Sequence, residues 1–175
     1  VQCRDCETLF VNPRPAYRDL MKIYVDSPST KFWVNDFFLP MVDARRGKIF
    51  RPRAEFIRNT FPELQSGKMA DIGAGFGLFL EEMRRFWPHS DMAAIEPSNE
   101  MAAICRNKGL KVIESSLEEV AGDEKYDLLT AFELFEHLHN PVPFLAKAHG
   151  LLNTGGYLYL TTLNGLGFDI QVLRD

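Results

Sequence analysis

Residues Met69–Leu80 read MADIGAGFGLFL. They form an apolar strand candidate, then a glycine-rich turn, then the opening of a helix. Gly73, Gly75 and Gly77 alternate with Ala74 and Phe76. A turn this dense in glycine lets backbone N–H groups and a helix N-terminus approach a ligand closely. Glu96 closes a second apolar run, Met92-Ala-Ala-Ile-Glu96, about 20 residues further on. That distance suits a carboxylate that takes the hydroxyls of an adenosine ribose in a βαβ unit.

Outward from this stretch, strand and helix patterns alternate. Strands are expected over Lys68–Ile72, Met92–Ile95, Leu110–Ile113, Tyr126–Phe132 and Tyr157–Leu163. Helices are expected over Leu78–Phe86, Glu100–Lys108 and Val142–Leu152, with a short helical turn at Leu117–Val120. Phe79, Met83 and Phe86 keep helical spacing, Pro88 stops that helix, and Ser98 or Asn99 caps the next. Asn153-Thr-Gly-Gly156 reads as a turn ahead of the fifth strand. This alternation argues a Rossmann-like α/β fold: a doubly wound, mainly parallel sheet with helices on both faces. In such sheets ligands bind beyond the carboxyl ends of the strands. The segments there are Gly73–Gly77, Glu96-Pro97-Ser98, Glu114–Leu117 and Phe132–His137, all polar or glycine-rich after apolar strands.

The glycine spacing separates two adenosine ligands. G-x-G-x-x-G counted from Gly73 and Gly75 would need glycine at position 78, which is Leu78. The motif present is D-x-G-x-G-x-G, Asp71 to Gly77. It resembles the first motif of the class I S-adenosylmethionine-dependent methyltransferases. The string Phe132-Glu-Leu-Phe-Glu-His-Leu138, with Asn140-Pro141, is similar to the fourth-strand motif of the quinone O-methyltransferase-like branch. Leu151-Leu-Asn-Thr-Gly-Gly-Tyr-Leu158 resembles that family's turn into its fifth strand. The resemblance covers about residues 67–163, of the small-molecule, type 11/12 kind. It implies S-adenosylmethionine as cofactor and S-adenosylhomocysteine as product. It places Asp71, Gly73, Ala74, Gly75, Gly77, Glu96 and Pro97 around the methionine and ribose, Ser115, Ser116 and Leu117 beside the adenine, and Phe132 along the methionine. It also implies seven strands, and residues Asn164–Asp175 do not supply the last two.

Chemistry at the acceptor asks for alignment, exclusion of water and, for a hydroxyl or acidic carbon, a base. His137 is the candidate base; its alternative is a histidine that hydrogen-bonds the loop backbone. Glu133 and Glu136 read as structural carboxylates. A nicotinamide oxidoreductase is argued against by Leu78 and by the run after the fourth strand. A non-catalytic cofactor-binding domain is the reading from another class.

Ahead of this domain, taken as residues 41–175, lies an arm of residues 1–40. Cys3 and Cys6 form one C-x-x-C before Asn12-Pro-Arg-Pro15. That start resembles a segment of bacterial methyltransferases of sugar and cell-surface pathways, in which a preceding C-x-x-C completes a zinc site. Zinc wants four ligands and this half offers two, so a zinc held by this chain alone is not expected. Cys105 reads as a small core residue. Tyr17, Tyr24, Phe32, Trp33, Phe37 and Phe38 make the arm aromatic. It reads either as packed on the core or as a lid over the ligand. Residues 41–61 are a helix candidate, with a start or kink at Pro52. The basic run Arg45, Arg46, Lys48, Arg51 and Arg53 reads as a solvated helix face, or as a partner for a phosphate-bearing substrate.

Composition bounds the partners. The 175 residues carry a net charge of −4, which gives no footprint for nucleic acid or an anionic membrane. No apolar run is long enough to span a bilayer, and three cysteines without a disulfide framework fit a reducing cytoplasm. The expected acceptor is a small polar metabolite, a nucleotide-sugar or cell-surface precursor, with a quinone-like or phenolic ring as runner-up.

Overall fold

The structure, a computed structural model, describes residues 1–25, 32, 36 and 39–172. Of the aromatic arm, Trp33, Phe37 and Phe38 lie outside the described residues. Among the described residues five strands form one sheet: β1 Lys68–Ile72, β2 Asp91–Ile95, β3 Lys111–Ile113, β4 Tyr126–Phe132 and β5 Leu152–Thr161. Their order is β3-β2-β1-β4-β5, and every neighbouring pair is parallel. The order reverses between β1 and β4, which is the topological switch point.

The strands are apolar on both faces because both faces are covered. On one face Met69, Met92, Ala94 and Leu128 join Ala54, Ile57, Phe79 and Met83 in one core. On the other, Ala70, Ile72, Ala93, Ile95, Leu129 and Ala131 join Phe144, Ala148 and Leu151. The first core is closed by helices α3 (Arg51–Thr60) and α4 (Leu78–Phe86), the second by α6 (Pro141–Leu151). Phe79 and Phe144 are each 1% exposed; burying a side chain of that size contributes about 1.5–3 kcal/mol. Helix α5 (Asn99–Asn107) follows β2, capped by Ser98 as the sequence predicts, its Oγ accepting from the Met101 N–H.

Two local readings change and one is refined. The helix candidate over 41–61 is helical without a break from Val42 to Thr60, as one α-turn, α2 (Val42–Arg45), a π-helical segment Arg46–Phe50, and α3. The π-helical segment ends just before Pro52, where the sequence predicts a start or a kink and where the missing N–H interrupts the hydrogen-bond ladder. The fifth strand starts at Leu152, five residues before the expected Tyr157. Its Asn153–Gly156 stretch is a wide bulge rather than a turn outside the sheet: Tyr126 faces Leu152, and Leu128 faces Tyr157. A Cβ on Gly156 would meet three carbonyl oxygens at 3.0–3.2 Å, so a larger residue would require the surrounding backbone to give by a few tenths of an ångström. Three of the five residues of the basic run are ion-paired rather than simply solvated. Arg46 donates to Glu81 and Glu82 at 2.9 and 3.0 Å, Arg51 to Glu82 at 3.0 Å, and Arg53 to Glu133 at 2.9 Å. Glu82, 1% exposed, is thereby bound to the helix that carries the arginines.

The arm contributes helix α1 (Tyr17–Val25), and the last helix described is α7 (Phe168–Val172). No helix of the described residues is long and apolar enough to cross a membrane.

Candidate functional site

The glycine turn leaves β1 at the switch point. Gly73, Gly75 and Gly77 have φ of 68°, 55° and 69°. Gly77 caps α4 in a left-handed conformation that strains any other residue, and a Cβ there would lie 2.4 Å from Leu110 Cδ1, so that side chain would have to shift. The turn is tied to the next strand, with the Gly73 N–H donating to Ile95 O at 2.8 Å.

Glu96, after β2, is 5% exposed. Its Oε2 accepts from the Gly75 N–H at 2.8 Å and its Oε1 from the Ser98 N–H at 2.9 Å. Two of the carboxylate's roughly four lone-pair positions remain for a ligand. Burial pushes its carboxyl up to about 7, against the lowering effect of the two N–H bonds. Asp71 lies below the turn, 3% exposed, with Thr130 Oγ1 donating to its Oδ1 at 2.7 Å. Burial raises it to about 7 as well, and the neighbouring Glu96 adds to the rise while the Thr130 bond opposes it. Cys105 supports the turn from the other side, its Sγ–H donating to Gly75 O at 3.1 Å. Burial pushes that thiol up to about 12, which makes it a neutral packing residue.

Gly73, Gly75 and Glu96 border a cavity of about 560 Å³, within the size range of small-molecule sites. Of the expected site residues, Gly73, Gly75, Glu96, Pro97, Ser115, Ser116, Leu117 and His137 line it. Asp71, Ala74 and Gly77 do not; they shape the turn from beneath. Phe132 is likewise not among the lining residues. Its ring packs away from the cavity, on Phe79 at 4.6 Å and Tyr159 at 5.9 Å, under the Arg53 guanidinium at 4.7 Å. The next two residues, Glu133 and Leu134, take the lining position instead. Ser116 Oγ is buried without a hydrogen-bond partner, unlike every other buried side-chain polar atom among the described residues. A buried hydroxyl left unpaired is costly, which marks it as a group a ligand would satisfy.

The far wall comes from the arm. Tyr17, Leu20, Met21 and Tyr24 on α1 all line the cavity. The Tyr24 ring meets His137 edge-on at 6.1 Å and the Tyr17 ring meets His139 at 6.0 Å. Burial, with Glu136 nearby, raises the Tyr24 hydroxyl above the usual tyrosine range. Glu136 in turn accepts from Thr162 Oγ1 at 2.9 Å. His137 ends a 3₁₀ turn, Phe135–His137, and its N–H donates to Leu134 O at 2.9 Å. Leu20, Met21, Leu138 and His139 were not singled out in the sequence; only the aromatic density of the arm pointed toward them.

The two cysteines sit in an N-terminal hairpin closed by the Gln2–Leu9 bridge, and neither is in a disulfide. Cys6 Sγ lies 3.2 Å from Thr8 Oγ1, a contact that lowers its thiol from the ordinary value. Among the described residues, no three His, Cys, Asp or Glu side chains gather as a metal-binding group. Of the basic run read as a possible phosphate partner, Arg46, Arg51 and Arg53 are held by Glu81, Glu82 and Glu133, and no arginine or lysine lines the cavity among the described residues.

The chain matches the family described as Methyltransferase domain over residues 44–173. It is 31% identical over 120 residues to a ubiquinone biosynthesis O-methyltransferase of Xanthomonas euvesicatoria pv. vesicatoria, covering 64% of this chain and 49% of the relative. A Bordetella avium protein of the same name is 29% identical over 122 residues, with 64% and 49% covered. The chain thus spans about half the length of the curated relatives it matches. Among solved structures, the plantazolicin methyltransferase BpumL in complex with SAH superposes with a TM-score of 0.66 at 20% identity, over 84% of this chain and 58% of that one. A sugar N-methyltransferase from Streptoalloteichus sp. gives 0.62 at 20% identity, over 74% and 55%. These two likenesses concern the fold.

Proposed function

The chain belongs to the methyltransferase-domain family, and from that membership we propose that it transfers a methyl group from S-adenosylmethionine to a small organic acceptor. The carrying observation is the unpartnered, buried Ser116 hydroxyl in the same cavity as the Gly73–Gly75 turn and Glu96. A ribose beside Glu96 would use its remaining lone pairs, and an adenine beside Ser115–Leu117 would satisfy Ser116. When bound, the cofactor supplies a sulfonium methyl that is already electrophilic. The protein's share is alignment and exclusion of water. The α1 residues serve the second purpose as a lid over the cavity. His137 is the base that receives the acceptor's proton, steadied by the Tyr24 ring.

The acceptor is taken to be a phenolic or quinol-like hydroxyl. That reading draws on the named activity of the curated relatives and on the apolar, aromatic wall that α1 presents. A nucleotide-sugar is the second reading, favoured by the sugar N-methyltransferase among the fold neighbours. Against it, no arginine or lysine among the described residues lines the cavity to meet a diphosphate. The test is calorimetric titration with S-adenosylhomocysteine and with NAD, followed by transfer from methyl-labelled cofactor to phenolic, nucleotide-sugar, tRNA and protein pools. Binding of the first ligand and label in phenols are expected. Binding of NAD alone would overturn the cofactor, and label only in tRNA or protein would overturn the acceptor class.

A further inference from the structure

Glu133 is the first residue after β4, at the switch point, and it lines the cavity. Its backbone is left-handed, with φ of 51°. Among the described residues only Glu7, in the N-terminal hairpin, shares that state without being glycine. A β-carbon makes this conformation costly, and it persists where the surroundings over-determine it, typically at functional positions. The surroundings here are explicit. The Glu133 N–H donates to Thr161 O at 3.1 Å. The carboxylate is gripped at one oxygen only: Oε1 accepts from Arg53 Nη2 at 2.9 Å and from Thr161 Oγ1 at 2.7 Å. Arg53 is itself fixed by lying over the Phe132 ring. Among the described residues Oε2 accepts no hydrogen bond, and the side chain is 45% exposed at the cavity.

A carboxylate present only to hold Arg53 would need neither the strained backbone nor a place in the cavity wall. The geometry points to Glu133 as a residue that touches the methyl acceptor, its Oε2 taking a hydrogen bond from an acceptor N–H or O–H group next to the reacting atom, with Arg53 and Thr161 as positioning residues. This rests on the methyl-transfer reading above. Glu133 and His137 lie on the same post-β4 segment and line the same cavity, so the acceptor is a two-pronged one. One prong is the nucleophile, whose proton goes to His137 as its lone pair bonds the methyl carbon and the carbon–sulfur bond electrons stay on sulfur. The other is a donor held by Glu133, as in a 1,2-diol or an amino alcohol.

Catechol and guaiacol are matched probes, because guaiacol keeps one ring hydroxyl and lacks the second donor. The full chain is expected to methylate catechol with kcat/KM at least tenfold above guaiacol. Glu133→Ala should lower kcat/KM for catechol about tenfold, mainly through KM, and lower guaiacol by less than about threefold. Glu133→Gln, which keeps an acceptor oxygen, should restore part of the loss, and Arg53→Met should show a smaller loss of the same kind. S-adenosylhomocysteine affinity should stay within about twofold in all three. Equal loss on both probes, or a loss that tracks weakened S-adenosylhomocysteine binding, would make Glu133 structural and overturn the inference. So would a wild-type chain that binds S-adenosylhomocysteine but methylates catechol no better than guaiacol. A wild-type chain that binds no S-adenosylhomocysteine would overturn the proposed function first.

Discussion

The two walls of the cavity are built by different means. The wall of Gly73, Gly75, Glu96 and Ser116 is made of strand ends, and main-chain hydrogen bonds fix it. Gly73 is tied to Ile95, Gly75 to Glu96, and the Glu96 N–H to Ile113 O at 3.0 Å. The wall of Tyr17, Leu20, Met21 and Tyr24 is one nine-residue helix with no fully buried residue. It meets the rest of the site through ring edges at His137 and His139. The first wall moves only if the sheet register moves. The second can be altered residue by residue while the sheet stays intact. A chain built this way can keep one ligand constant and vary the other.

The sharpest break of that contrast is at Gly77. Gly77→Ala adds a Cβ that collides with Leu110 and forces a left-handed alanine. It should destabilise the fold by about 2 kcal/mol or more, read as a fall in Tm of roughly 4–8 °C. An unchanged Tm would mean the first wall is not rigidly set. Next in size is Glu96→Ala. Losing charge-assisted bonds of about 1.5–3 kcal/mol should weaken S-adenosylhomocysteine about tenfold or more in calorimetry, with acceptor KM little affected. Unchanged affinity in a folded variant would remove Glu96 from the ribose.

Tyr24→Ala tests the second wall. It should raise acceptor KM several-fold in labelled-methyl assays while moving Tm by less than about 1 kcal/mol equivalent, because α1 buries nothing fully. A larger loss of cofactor affinity than of acceptor affinity would show the walls are not separable.

The last test is a pH slope from the acids in and beneath the first wall. Asp71 and Glu96 are raised from ordinary values of 3.8 and 4.5 to about 7 by burial. Between those limits the folded chain holds more protons than the unfolded one. Their contribution to stability is therefore full below about pH 4 and is lost as pH rises to about 7. Glu96→Gln should flatten that part of the slope in denaturant melts taken from pH 4 to 8. Glu124 acts with the opposite sign and lower down. Lys111 and Lys68 hold its carboxyl at about 2, so its contribution goes as pH falls below its ordinary 4.5. A slope that Glu96→Gln leaves untouched would show that the buried acid is not its source.

The same contrast decides what could be read from the chain. The first wall was legible because its parts are local: a glycine turn after a strand, and an acid at the end of the next. The doubly wound parallel sheet followed from alternation, but the place where its strand order reverses did not. Phe132 came from the family resemblance, and the period of two along β4 says only that neighbours face opposite ways, not which of them meets the cavity. Its ring lies 4.7 Å from the Arg53 guanidinium, which α3 brings from far along the chain. The arginine run was misread for a related reason. Its partners Glu81 and Glu82 lie on α4, and nothing local to the run announces them. The fifth strand began early because Gly155 and Gly156, ordinary turn residues, sit in a bulge that the sheet tolerates.

The reversal of strand order has a bearing on how the chain assembles. Met69 pairs with Met92 inside one half of the sheet and with Leu128 across to the other. Strands β1–β3 with α4 and α5 can form from near neighbours in sequence, and so can β4 and β5 with α6. The β1–β4 pairing is the long-range closure that joins them, and such closures are the slow ones. The cavity lies along this seam. A molecule bound there gains its contacts only once the halves have met, so it holds the seam shut and favours the joined state by mass action. Amide exchange along β1 and β4 should therefore slow together when S-adenosylhomocysteine is added. Protection gained by β2 and β3 alone would place the seam elsewhere.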